Sequence, residues 1–148
     1  MKKFRFRLQT LLDQRKSREE VLQAELGKLL HEELTELERL GQLKIRLAQA
    51  WQHFDALSAD SRTTAEAFDT CDRWSKALRD DIKVQMLTIE AVRRRIDEKR
   101  TEVTEAMKQR KVIETLRDRQ EHEYILEQAR VEQSALDDIA SLAYARRA

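Results

Sequence analysis

The chain has 148 residues, 29 of them Lys or Arg and 28 Asp or Glu, so 39% is charged while the net charge is only +1. It holds no proline, two glycines, one cysteine and 5% aromatics, whereas an ordinary domain has about 25% charged residues, about 5% Pro and about 7% Gly. So few turn residues exclude compact folds of many elements and leave little room for an enzyme pocket, while 41% hydrophobic content excludes plain disorder; a long-helix or coiled-coil protein remains.

The opening residues, Met1-Lys2-Lys3-Phe4-Arg5-Phe6-Arg7, are basic as in a signal peptide, but Asp13, Arg15 and Lys16 interrupt any apolar core that could follow. No stretch is long and apolar enough to span a membrane, and the expected location is the cytoplasm. From there the apolar residues recur at three- and four-residue spacing. Leu26, Leu40, Leu47 and Phe54 form one heptad series, with Glu33 as its polar exception, and Leu30, Leu37, Lys44 and Trp51 form the companion series expected beside it. The first helix is placed at about 8–57. Gly27 and Gly41 lie inside it and do not break it.

The heptads lapse over 58–68, where Ser, Thr and Asp concentrate, and Thr63 with Glu66 has capping-box spacing. The second helix, about 69–143, carries Ile82, Ile89, Ile96 and Val103 in one series, with Val92, Ala106 and Ile113 as its other edge. Leu116, Tyr124, Val131, Leu136 and Ile139 extend the stripe. The charges come in blocks: basic over 1–18, acidic over 19–38, basic over 93–112 and acidic over 120–138. A fold-back centred in the middle to late 60s sets opposite signs face to face, whereas a parallel dimer sets each block against its own copy. The expected fold is therefore all-α, a long antiparallel two-helix coiled coil forming a single rod.

Few residues suggest chemistry. His31-Glu32-Glu33 begins like a zinc-protease motif, but Thr35 stands where the second His belongs. Cys71 has no partner at useful spacing, and no glycine-rich loop could cradle a phosphate. No catalytic residue, metal or cofactor is expected. Arg93-Arg94-Arg95 and Lys108-Gln109-Arg110-Lys111 are interleaved with acids and face an acidic helix, so with balanced net charge they do not point to nucleic acid. The amphipathic N-terminus, with Phe4, Phe6 and Leu8, has the character of a membrane-surface anchor, which makes a scaffold coiled coil the competing reading. Trp51, Phe54 and Trp74 flank the loop and are expected to meet near the tip as an aromatic cluster, larger than a two-helix seam requires and so suited to a partner.

The segment Phe4-Arg5-Phe6-Arg7-Leu8-Gln9-Thr10-Leu11-Leu12-Asp13-Gln14-Arg15 resembles the opening of the flagellar FliJ family, and Lys111–Gln120 and Glu132–Ala140 resemble later parts of it. The resemblance runs over essentially the whole chain. It implies a non-enzymatic, stalk-like component of the flagellar type III export apparatus, peripheral at the inner face of the cell membrane. The partners it implies are the export ATPase ring, the membrane export-gate protein and export chaperones. The family's gate contact maps onto Trp74, Leu78, Asp81 and Gln85, and its ATPase contact onto Phe4, Phe6, Arg7, Leu8, Leu11 and Leu12 with the C-terminal helix. A stalk of a virulence type III system is the near alternative within the same class.

Overall fold

Apolar residues repeating at three- and four-residue intervals put one stripe along a helix, and the chain forms two such helices that pack on each other. The structure is a computed structural model that describes residues 3–147, so Met1 and Lys2 of the basic opening lie outside it. Helix α1 is Gln9–Ala59 and helix α2 is Ala65–Arg147, with no strand among the described residues. This is the antiparallel helical hairpin expected from the heptads. Its contacts fall into two units: one is Leu22–Glu102, and the other joins the described residues up to Val21 to those from Val103 onward.

In the unit Leu22–Glu102 the connection is confined to 60–64, shorter than the 58–68 expected from composition. Side chains build this turn without Gly or Pro. Asp60 Oδ1 accepts the amide of Arg62 at 2.9 Å, and the amide of Thr63 donates to the Asp60 carbonyl at 3.2 Å. Thr63 donates its hydroxyl to the Leu57 carbonyl at 2.8 Å and so serves the end of α1. The cap of α2 is Thr64, whose hydroxyl accepts the Ala67 amide at 3.3 Å. The expected Thr63–Glu66 box does not form, because Thr63 is committed to the preceding helix.

The seam of this unit takes Leu22, Ala50, Cys71, Leu78, Ile89, Val92 and Ile96 out of solvent. On α1 the second edge of the stripe is Leu22, Leu29, Glu36, Leu43 and Ala50, three residues on from the first series. The expected companion series of Leu30, Leu37, Lys44 and Trp51 is exposed instead. Spacings of three and four both continue a helical stripe; the side that holds small Ala50 allows close approach, and Trp51 is left outside. Polar side chains enter the seam in matched pairs. Gln85 Nε2 donates to the Glu36 carboxylate at 2.6 Å and to its carbonyl at 2.9 Å, satisfying a carboxylate that is otherwise costly to bury. Arg93 pairs with Glu33 at 2.9 Å, Arg95 with Glu32 at 2.6 Å and Lys99 with Glu25 at 2.8 Å. The expected meeting of the acidic block of α1 with the basic block of α2 is therefore found, but the fold-back is centred on 60–64 and not in the middle to late 60s.

In the other unit Phe4 and Phe6, which precede α1, do not trail free. Phe6 and Leu12 pack with Ile113, and Phe4, Leu11 and Leu116 close around them. Phe4 also meets Tyr124, with ring centroids 5.7 Å apart. Arg110 bridges Glu19 and Glu114, and Arg15 Nη1 donates to the Gln109 carbonyl at 3.0 Å. Beyond this clasp α2 continues alone: every described residue from Ala129 to Arg147 is exposed. The fold-back begins earlier in the chain than charge blocks alone suggest, and Glu132, Asp137 and Asp138 lie in this exposed stretch.

Candidate functional site

Three surfaces carry the residues singled out from sequence, and each is described within its own unit. Near the turn, Trp51 and Trp74 stay largely in solvent, at 55% and 44% exposure, with Phe54 beside them at 39%. They do not form one cluster. Trp51 follows seam residue Ala50 and Trp74 precedes seam residue Ser75, so they fall on opposite flanks of the seam. Trp51 and Phe54 line a groove of about 330 Å³ with Asp55, Asp72, Ser75 and Arg79. Trp74 lines another, of about 350 Å³, with His53, Leu57, Ala67, Thr70 and Cys71. Phe54 is braced edge-to-face by Phe68, centroids 5.5 Å apart.

The four residues Trp74, Leu78, Asp81 and Gln85 share a helical side at spacings of four, three and four, and that side borders the seam. Leu78 is only 5% exposed and is core. Gln85 is half-buried and occupied by Glu36. Trp74 and Asp81 alone are exposed. Docking through all four would require the hairpin to open, whereas docking through Trp74 leaves it intact.

The N-terminal set divides in the same way. Phe6 and Leu12 are buried, Phe4 and Leu11 half-buried, and only Arg7 and Leu8 face solvent. The aromatic opening is therefore the lid of an internal cluster and not an exposed anchor. Sequence reasoning missed this because Phe-x-Phe before a helix reads equally as anchor or staple; the hydrophobic residue before the helix start, with apolar residues in its first turns, was the available signal.

The third surface is the paired charges. Each of Arg93, Arg94 and Arg95 has a carboxylate partner: Glu33, Glu90 and Glu32. The Glu25 carboxylate foremost, with that of Glu102, accepts from the Lys99 ammonium and raises its pKa against the opposing effect of desolvation. Glu19, first, raises the pKa of Arg110 by the same means. Cys71 is a buried free thiol 3.6 Å from the Ala50 carbonyl. Among the described residues no His, Cys, Asp or Glu cluster could hold a metal, and no helix is long and apolar enough to cross a membrane.

A family description, "Flagellar FliJ protein", matches this chain over residues 4–148. The chain belongs to the FliJ family. It is thus a flagellar export-related component, and the family is one of non-catalytic export components. No curated protein and no solved structure shows significant similarity to the chain. The match begins at Phe4, the first residue of the clasp, so it takes in both units and the solitary end of α2.

Proposed function

We propose that the protein is a cytoplasmic coupling factor of the flagellar type III export machinery, peripheral at the inner face of the cell membrane. It works as a stalk for the export ATPase ring, contacts the membrane export gate and helps export chaperones to cycle. The observation that carries this reading is the family match across residues 4–148. The geometry supports it in two ways: long helices without a break suit a stiff element, and the exposed features belong to distinct places in the chain.

The ring contact uses exposed Arg7 and Leu8 together with the C-terminal part of α2, while Phe4, Phe6, Leu11 and Leu12 shape that surface from beneath. The gate contact is centred on Trp74, with Asp81 on the same helical side. Leu78 and Gln85 serve it by holding α2 in register against α1. The reading is tested by ATP turnover of the partner ATPase with and without this protein; no stimulation and no co-sedimentation would defeat the coupling role. For the gate, Trp74→Ala should weaken capture of the gate protein with helicity by circular dichroism unchanged. Unaltered capture would remove Trp74 from the contact.

A further inference from the structure

Within Leu22–Glu102, the flank of the seam that holds Trp51 carries more than the groove beside that ring. The groove of about 330 Å³ between Trp51, Phe54 and Arg79 is followed along α2 by one of about 490 Å³, lined by Leu47, Arg79, Ile82 and Lys83. A third, of about 550 Å³, lies at Lys83, Met86 and Leu87. Arg79 is a wall of the first two and Lys83 of the last two, so the three form one trough. From Asp72 to Arg93, its outermost lining residues on α2, the helix rises about 30 Å. Met86 and Leu87 are 55% and 65% exposed. The α1 series Leu30, Leu37, Lys44 and Trp51, which misses the seam, lies on this flank, because residues seven apart keep to one side of a helix and Trp51 lines the trough. Apolar residues of both helices thus border one channel, as two helices of a bundle do for a third.

Charge selects the occupant. Asp72 is answered by Lys76 at 3.0 Å, Glu90 by Arg94 at 2.8 Å and Arg93 by Glu33 at 2.9 Å. Lys44, Arg79 and Lys83 are exposed, and among the described residues none of them is paired with a carboxylate. Arg79 Nε donates only to the Ser75 carbonyl of its own helix, at 3.4 Å. The acids left over are Asp55, at the turn end, and Asp80, one turn from both Lys76 and Lys83. Cations from both helices therefore flank the middle of the trough. A helix with an aliphatic stripe and acidic edges fits it: the stripe fills the channel, and carboxylates reach Lys44 on one side and Arg79 and Lys83 on the other. A basic helix would set like charges together along both edges. We propose that this trough docks an acidic amphipathic helix of a partner protein. The contact is separate from the Trp74 surface, which lies on the opposite flank of the seam.

Full-length protein carrying Trp74→Phe, which leaves Trp51 as the only tryptophan, is titrated with two synthetic helical peptides of about 20 residues. Both have leucines at three- and four-residue steps; one is edged with glutamates and the other with lysines. The acidic peptide should shift Trp51 emission to the blue and saturate, and the basic one should bind about tenfold more weakly or worse. Arg79→Glu with Lys83→Glu should reverse that order, and Met86→Asp should abolish the shift. All three side chains are exposed, so helicity by circular dichroism should be unchanged. No shift with the acidic peptide, equal binding of the two peptides, or a double Glu variant that keeps the original order would each overturn the proposal. So would a blue shift that grows with protein concentration in the absence of peptide, which would give the trough to a second copy.

Discussion

The stretch Leu22–Glu102 and the end of α2 are built from the same kind of sequence, charged heptads with an aliphatic stripe, yet they meet opposite fates. In the first, the stripe is covered and even its polar members are matched, Gln85 to Glu36 and Lys99 to Glu25. In the second, Leu136 and Ile139 stand in water. The difference lies not in helix propensity or hydrophobicity but in whether an antiparallel neighbour reaches that far. A heptad stripe is a demand for a partner, and the register of the hairpin decides which part of the demand is met within the chain.

Cutting the same side-chain atoms from a covered and an uncovered leucine sharpens this contrast most. Leu12→Ala empties a site of 0% exposure beneath the aromatic clasp and should cost about 3 kcal/mol in urea denaturation. Leu136→Ala, measured at low protein concentration, should change stability by less than about 0.5 kcal/mol. Equal losses would break the distinction between the two regions.

Next in size is the polar layer of the covered seam. Gln85→Ala leaves the Glu36 carboxylate without its donor from α2, and about 2 kcal/mol should be lost. Gln133→Ala on the bare helix, where the side chain makes only a local bond to Asp137, should be nearly silent in the same assay.

Glycines test whether α1 depends on any special backbone there. A Cβ added at Gly27 or Gly41 would meet nothing within 4 Å, and neither has a positive φ. Each Gly→Ala change should raise stability by about 1 kcal/mol. A loss at either position would mean that its helix face is needed for close approach.

The smallest effect is electrostatic. The Lys99 pKa lies above the ordinary lysine value of 10.5, so its contribution is fully present below that pH and is lost as pH rises through the raised value. Lys99→Met should therefore lower the melting temperature at neutral pH, and the gap to wild type should narrow only in strongly alkaline buffer. A gap that closes near neutral pH would assign the effect to another group.

Much of this was legible in the chain. Heptads without Pro named two helices, the cluster of Ser, Thr and Asp marked the turn, and opposed charge blocks chose a hairpin over a parallel pair. The site was less legible. Sequence spacing groups Trp74, Leu78, Asp81 and Gln85 on one helical side, but spacing does not tell whether that side faces the partner helix, and Leu78 and Gln85 do. It likewise groups Phe4 to Leu12, while packing on Ile113 and Tyr124 divides them into lid and surface.

By itself, then, the sequence determined the helices, the antiparallel sense and the family, because periodicity, turn chemistry and charge order are local or blockwise properties. Only tertiary packing decided the register, the α1 face that is buried, the separation of Trp51 from Trp74 and the length of bare helix. A shift of a few residues leaves every local preference satisfied, and it is settled only when particular pairs such as Glu36 with Gln85 and Leu12 with Ile113 find one another.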